Sequence, residues 1–271
     1  MGYLFGPENW EWLGTENNLR FILEAFLVNL EIAVIAMVLA LAIGLVLALL
    51  SIAGNAFVRR AAKLWVDVFR NLPLIFLILY LALTIPEGVR DFWADNAPGF
   101  LPDALRSRLV LAGIGGLVLY NSAVLAEIMR AGILSLDRGQ REAAAALGLS
   151  YRQQMRFVVL PQGLRRMVPA TVSQLITLNK DTTLVSIIAI QEVVRSGRIL
   201  SQTAGNPFAG GGDVEAPILQ VMIFIGLLFV LVNYGLSRLS RRLEIREGRR
   251  TAARPATVAG VEETVAVAEA R

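Results

Sequence analysis

Residues 137–161 read Asp137-Arg138-Gly139-Gln140-Arg141-Glu142-Ala143-Ala144-Ala145-Ala146-Leu147-Gly148-Leu149-Ser150-Tyr151-Arg152-Gln153-Gln154-Met155-Arg156-Phe157-Val158-Val159-Leu160-Pro161, a polar island between apolar runs of membrane length. The order of residue types predicts two short helices around a turn. Asp137 is placed to N-cap the first helix with Gln140 three residues on. Ala143 to Leu147 are strong helix formers, and Gly148 supplies the left-handed residue that closes the helix. Ser150 is placed to cap the second helix with Gln153 reaching back, and Pro161 marks where that helix must kink or stop. The pair presents one carboxylate, Glu142, beside a face of alanines narrow enough to enter a groove on another protein. An ordinary connector with an alanine-rich helix and a terminal glycine has the same composition.

The island lies in a chain that is 55% apolar, against roughly 45–50% in soluble domains, and its mean hydropathy is positive. The excess sits in blocks long enough to cross a bilayer, so the chain is expected to be an all-α integral membrane protein. The formal charge of +4 comes from arginines at the edges of those blocks. No aromatic-interleaved basic strip points to nucleic acid. With neither Cys nor His, thiolate chemistry, disulfides, the common zinc sites and a Ser-His-Asp triad are excluded. No metal site or bound cofactor is expected in this chain. Residues 1–20 lack the basic n-region of a signal peptide and read as an external segment, with Trp10 and Trp12 suited to an interfacial belt.

Working outward from the island, five spans are expected within a membrane domain of residues 21–247: about 21–50, 64–85, 109–131, 166–190 and 216–237. The first contains nineteen residues without a charge, from Ile32 to Leu50, and is followed by Arg59, Arg60 and Lys63. The positive-inside rule puts that loop in the cytoplasm and the N-terminus outside. The second holds Asp67 and Arg70 in its first turns and is interrupted by Pro73. Residues 86–108 mix carboxylates with arginines and are broken by Pro86, Pro98, Gly99 and Pro102, a composition suited to an external loop. The central island, with seven arginines from Arg130 through Arg166, is placed in the cytoplasm. The loop after span four, with Gly205-Asn206-Pro207 and Gly210-Gly211-Gly212, reads as a flexible external turn. Arg238, Arg241 and Arg242 stop the fifth span on the inside. Residues 248–271 lose periodicity and read as a disordered cytoplasmic tail whose arginine-rich start could meet anionic lipid.

Three stretches place polar groups within the apolar spans. Leu178-Asn179-Lys180-Asp181-Thr182-Thr183-Leu184 sets charges in the middle of span four, where each costs at least about 2.5–3.5 kcal/mol on insertion scales. Either Lys180, Asp181 and Thr182 face a translocation cavity or line a helix break, or they form an internal ion-pair network that fixes packing. Arg70-Asn71-Leu72-Pro73-Leu74 frees a backbone carbonyl, which a plain proline kink also explains. Glu127 and Arg130 lie three apart on one helix face, positioned to pair with one another or to act in gating.

These stretches together resemble a known family. Glu142-Ala143-Ala144, Gly148 four residues on, then nine residues to Val158-x-Leu160-Pro161 match the cytoplasmic "EAA" loop of permease subunits of bacterial ABC importers. Arg70-Asn71-x-Pro73-Leu74, Ala126-Glu127-x-x-Arg130-x-Gly132-Ile133 and Lys180-Asp181-Thr182-x-Leu184 match segments of the polar-amino-acid (His/Glu/Gln/Arg/opine) branch. The chain departs from that pattern in the length of its loop between spans two and three. It also departs at Asn29-Leu30-Glu31, where the family often carries Gly and Thr.

The resemblance implies a type I importer permease fold (MetI-like) in a bacterial plasma (inner) membrane. It implies ATPase coupling through Gly139, Gln140, Glu142, Ala143, Ala144, Gly148, Leu160 and Pro161. It further implies a pathway bearing Lys180, Asp181, Thr182, Asn179, Asn71 and Glu127. Its partners would be a pair of ATP-binding subunits using ATP and Mg, a second permease subunit (identical or homologous), an extracytoplasmic amino-acid-binding protein and membrane lipid. Glutamate- or glutamine-like substrates are favoured. The chain has no G-x-x-x-x-G-K-[ST] motif and no Gly-Lys dipeptide, so it builds no P-loop and the energy must come from a separate subunit. The alternative is an ion-coupled secondary carrier with Lys180 and Asp181 as its ion site. Five spans are few for such a carrier, and it would need no EAA loop.

Overall fold

A computed structural model describes residues 6–136, 138–203 and 216–252, with no strand among the described residues. A 3₁₀ segment, Pro7–Gly14, leads into α1 (Glu16–Ser51), followed by α2 (Ala56–Asn71), α3 (Leu74–Thr84), α4 (Glu87–Asn96) and a 3₁₀ turn Asp103–Arg106. Then come α5 (Val110–Leu134), α6 (Arg138–Ala146), α7 (Tyr151–Gln154), a π-helical turn Met155–Val159 and α8 (Leu160–Asp181). A 3₁₀ segment Thr182–Ile188, α9 (Val193–Thr203) and α10 (Ile218–Ala252) complete the order.

Residues with little or no side chain let α1 lie close on α5. Ala33, Ala36, Ala40, Gly44 and Ala48 recur along the buried stripe of α1, and a Cβ at Gly44 would stand 3.0 Å from the Ser122 carbonyl. Close approach of this kind takes the place of a hydrophobic driving force between helices in lipid. On the other face of α5, a Cβ at Gly116 would meet the Ile78 side chain at 2.7 Å and its backbone at 3.1 Å, which docks α3. The main core joins Ile32, Ala36, Ile78, Leu117, Leu125, Leu178 and Val185 from α1, α3, α5, α8 and the 3₁₀ segment after it. A second cluster packs α1 against α9 and α10 through Ile22, Phe26, Val193, Leu200, Val221 and Ile225. Trp12 is part of that cluster, fully buried and edge-on to Phe224 at 5.6 Å. This corrects its expected place in an interfacial belt.

Among the described residues, three helices can cross a membrane by length and apolarity, Glu16–Ser51, Val110–Leu134 and Ile218–Arg246. The pair Ala56–Asn71 and Leu74–Thr84, bent by 101°, makes a fourth if the two are one span. The expectation of five spans is therefore met only in part. At Pro73 the chain does not kink a single helix; it leaves one helix and begins another, with the Pro73 carbonyl accepting from Phe76 and Leu77 at 3.0 and 3.3 Å. The expected fourth span is a 22-residue helix that carries Arg165, Arg166, Lys180 and Asp181, which lowers its hydropathy, and it ends where the 3₁₀ segment begins.

Two further expectations are corrected. The stretch after span four contains α9, whose buried Val193, Ser196, Gly197 and Leu200 recur at helical spacing. The last helix runs on to Ala252, past the expected start of a disordered tail, and residues 253–271 lie outside the described ones. The glycine-rich turn around Gly205–Gly212 also lies outside the described residues.

Candidate coupling loop and intramembrane polar site

The loop between α5 and α8 folds as two helices about Gly148. Gly148 is at φ +75°, and the carbonyls left free at the end of α6 are closed by Gly148 N–H to Ala145 (2.9 Å) and Leu149 N–H to Ala144 (3.2 Å). These are the paired short and long bonds of a glycine C-cap. Asp137 lies outside the described residues, so its expected cap does too. At Ser150 the Gln153 side chain reaches back as its spacing predicts, its Oε1 accepting from the Ser150 amide and hydroxyl, both at 2.8 Å.

Pro161 behaves otherwise than its residue type predicts. The helix passes through it, because the five residues before it form a π turn in which the Leu160 amide bonds to the Met155 carbonyl. Widening the ladder at this point absorbs the donor that proline lacks.

Val159 packs with Ile133 and Leu136, which seats the loop beneath α5. Of the candidate coupling residues, Ala144 is buried at 3% exposure, Gln140 and Leu160 are partly buried, and Gly139, Glu142, Ala143, Gly148 and Pro161 are exposed. Leu147, Tyr151 and Phe157 stand 81%, 63% and 62% exposed around the turn. Large apolar side chains gathered on a polar loop mark a surface that a partner covers.

The polar run at the end of α8 divides by direction. Asn179 is buried and donates to Asn233 Oδ1 of α10 at 3.0 Å. Thr182 is fully buried, donates to the Asn179 carbonyl at 2.7 Å, and accepts from Asn29 Nδ2 of α1 at 2.9 Å. Asn29 also donates to Glu192 Oε2 (3.0 Å) and accepts from the Val193 amide (2.9 Å). Glu192 in turn accepts from the amides of Val194 and Arg195 at 3.0 and 2.8 Å, capping α9. Asn29, Thr182 and Glu192 are all fully buried, and the network ties α1, the 3₁₀ segment and α9 together.

Lys180 is exposed, Asp181 is partly buried, and among the described residues neither forms an ion pair within 4 Å. Lys180 continues an exposed stripe of α8 made by Ala170, Ser173 and Thr177. Beside the stripe, Gln174 donates to the buried Asn121 of α5 at 2.7 Å. An open cavity of about 610 Å³ is lined there by Arg166, Ser173, Gln174, Thr177 and Glu244.

The remaining candidates lie apart from this group. Asn71 is exposed and donates to the Asp67 carbonyl of its own helix at 2.6 Å. Glu127 and Arg130 pair through two hydrogen bonds, one of them from Arg130 Nε at 2.9 Å. The next charges around Glu127 are Arg70 and Lys63 of α2. Sequence reasoning passed over Asn29, Glu192, Asn121 and Gln174 as bonding groups. The available signal was a polar residue inside an apolar run, at Asn29 and at Asn121, and a carboxylate just ahead of the apolar-periodic Val193–Leu200.

Residues 40–246 match the family described as binding-protein-dependent transport system inner membrane component. The chain belongs to this family. It is 35% identical over 233 residues to the probable glutamine ABC transporter permease protein GlnP of Bacillus subtilis (strain 168), covering 86% of this chain and 96% of that one. It is 30% identical over 236 residues to the glutamate/aspartate import permease protein GltK of Escherichia coli O157:H7, covering 87% and 97%. A crystal structure of an amino acid ABC transporter with histidines superposes at a TM-score of 0.68 with 24% identity, covering 87% of this chain and 98% of that one. The inward-facing MetNI methionine ABC transporter superposes at 0.59 with 20% identity, covering 84% and 99%.

The fold is thus the MetI-like permease fold, all-helical, and the chain is a multi-pass inner-membrane permease component without catalytic activity of its own. A binding-protein-dependent system implies an ATPase and a binding protein as partners.

Proposed function

We propose that this chain is one of two permease subunits of an ATP-driven importer of polar or charged amino acids, coupled to its ATPase through residues 137–161. The observation that carries the reading is the exposed, capped helix pair about Gly148, with Glu142 and the exposed Leu147, Tyr151 and Phe157 around it. The ATPase pair would use ATP and Mg; this chain binds neither. Closure of the ATPases would draw the two loops together and rock the spans between inward-open and outward-open arrangements as rigid bodies.

The pathway in this reading is built on α8. Ser173, Thr177 and Lys180 form an exposed polar stripe, of which Ser173 is bonded to Ser240 of α10 at 3.2 Å. Polar and charged groups at membrane depth face a cavity or a partner, because lipid cannot compensate them. A second permease across that stripe encloses the pathway, with Lys180 and Asp181 beside it. Five spans, N-terminus out and C-terminus in, complete the arrangement: α2 with α3 counts as one broken span, and α8 is shielded from lipid by the second subunit. The substrate class is supported by relatives named for glutamine, for glutamate/aspartate and, in Bacillus subtilis, for arginine.

The test is reconstitution of the chain in vesicles with its ATPase and binding-protein partners. Amino-acid uptake that requires ATP is the expected result. Uptake driven by an ion gradient without ATP would replace this reading with the secondary carrier.

A further inference from the structure

Towards the N-terminal end of α1, remote from the coupling loop, lies a cavity of about 380 Å³. That volume is within the range of small-molecule sites, about 300–1,000 Å³. Its walls carry three carboxylates, Glu24, Glu31 and Asp103, and no Lys or Arg. Two of the three are engaged elsewhere: Glu24 with Arg20 at 2.6 Å and Asp103 with Arg106 at 3.4 Å. Glu31 has no ion pair or hydrogen bond among the described residues, and its Oε2 is buried without a partner. On the opposite wall, Ser196 of α9 is fully buried and its hydroxyl also has no partner.

Buried polar groups in native structures almost always have partners, so two orphans on one cavity call for an occupant. The wall that carries Gln191 and Ser196 is held by the Asn29–Glu192 network, because Glu192 caps the helix on which Ser196 sits. Asn29 is two residues from Glu31 on α1. The Ser196 wall is therefore fixed by its supporting bonds before any ligand arrives.

We propose that this cavity binds a small organic cation, an amino acid presenting an ammonium or guanidinium group, with Glu31 as its counter-ion and Ser196 as a hydroxyl contact. The proposal rests on the amino-acid importer reading and narrows it. All amino acids offer an α-ammonium, but only a cationic side chain brings net positive charge to a wall of three carboxylates; a neutral one brings none, and an anionic one is repelled. The order of preference is then L-arginine, L-glutamine, L-glutamate, which departs from the glutamate-like substrate that the family resemblance favours.

The experiment is equilibrium binding of radiolabelled L-arginine, L-glutamine and L-glutamate to the purified full-length chain. Glu31→Gln, nearly isosteric, should weaken L-arginine binding at least about tenfold, the loss of one charge-assisted hydrogen bond. Ser196→Ala should weaken it about three- to tenfold, and Glu16→Gln, outside the cavity, should leave it unchanged. The proposal is overturned if the wild-type chain shows no saturable L-arginine binding, if L-glutamate binds as tightly, or if Glu31→Gln and Ser196→Ala both match the wild type. ATP-driven uptake measured in parallel separates the two readings. Uptake that persists while arginine binding ignores Glu31 removes the site and keeps the importer. Binding that depends on Glu31 without any ATP-driven uptake keeps the site and removes the importer.

Discussion

Gly148 offers a way to disturb the coupling loop through its backbone alone. Its φ of +75° lies in the left-handed region, and nothing stands within 4 Å of where a Cβ would be. A substitution there meets no clash, so its cost is conformational, about 1–2 kcal/mol for an ordinary L-residue. That cost lowers the ratio of native to non-native turn about 5- to 30-fold, which bounds the loss of native turn from above. The bonds from Gly148 to Ala145 and from Leu149 to Ala144 open with it, and α6 loses its fixed angle to α7. The spans, which share no packing with the turn itself, are unaffected. Gly148→Val, β-branched and poorly suited to this region, should reduce ATP-driven uptake, by up to about 30-fold, at an unchanged membrane level. Gly148→Asn, which tolerates the left-handed conformation, should stay within about threefold of wild type. The assay is uptake in vesicles together with co-purification of the ATPase. Valine with normal uptake and normal ATPase association, or valine and asparagine equally impaired, refutes the reasoning, since neither outcome follows from a backbone cost.

Reconstituted Lys180→Met and Asp181→Asn should hydrolyse ATP with lost or altered uptake; unaltered uptake in both removes them from the pathway, and failure to assemble assigns them to packing instead. In this cysteine-free chain, a cysteine at Asp95 should be labelled by an impermeant reagent from outside and one at Ser150 should not, and the inverse pattern refutes the orientation. Asn29→Leu leaves the buried Val193 amide without a partner, at about 1–3 kcal/mol, and takes one bond each from Thr182 and Glu192, so the purified chain should unfold at lower temperature; an unchanged transition would show that the network adds nothing to stability.

What could be read from the sequence was local. Gly148 as a left-handed C-cap and Gln153 reaching back to Ser150 each depend on residues within a few positions, and the structure shows both. The first, third and fifth apolar blocks are uninterrupted, so length and hydropathy were enough to place them. Trp12 was misplaced because burial is decided by Phe224, more than two hundred residues away. At Pro161 the residue type predicts a stop, and only the π turn before it, which no spacing announces, lets the helix continue. The Asn29–Glu192 bond spans 163 positions, and nothing near either residue names the other.

The run Asn179-Lys180-Asp181-Thr182 shows why a polar cluster in a membrane helix is not one site. Successive residues on a helix point about 100° apart, so four neighbours meet four different surroundings. Asn179 turns to Asn233 of α10, and Thr182 turns to Asn29 of α1; both are buried, and both are structural partners of other helices. Lys180 turns outward along the Ser173–Thr177 stripe, without an ion pair within 4 Å among the described residues. Substitutions at Asn179 or Thr182 therefore act on the packing that holds the end of α8 in place. Those at Lys180 act on whatever fills the space beyond it. Of the two readings that the sequence left open, packing contacts are seen at Asn179 and Thr182, and the proposed pathway role falls to the exposed Lys180 on another face of the same tetrapeptide.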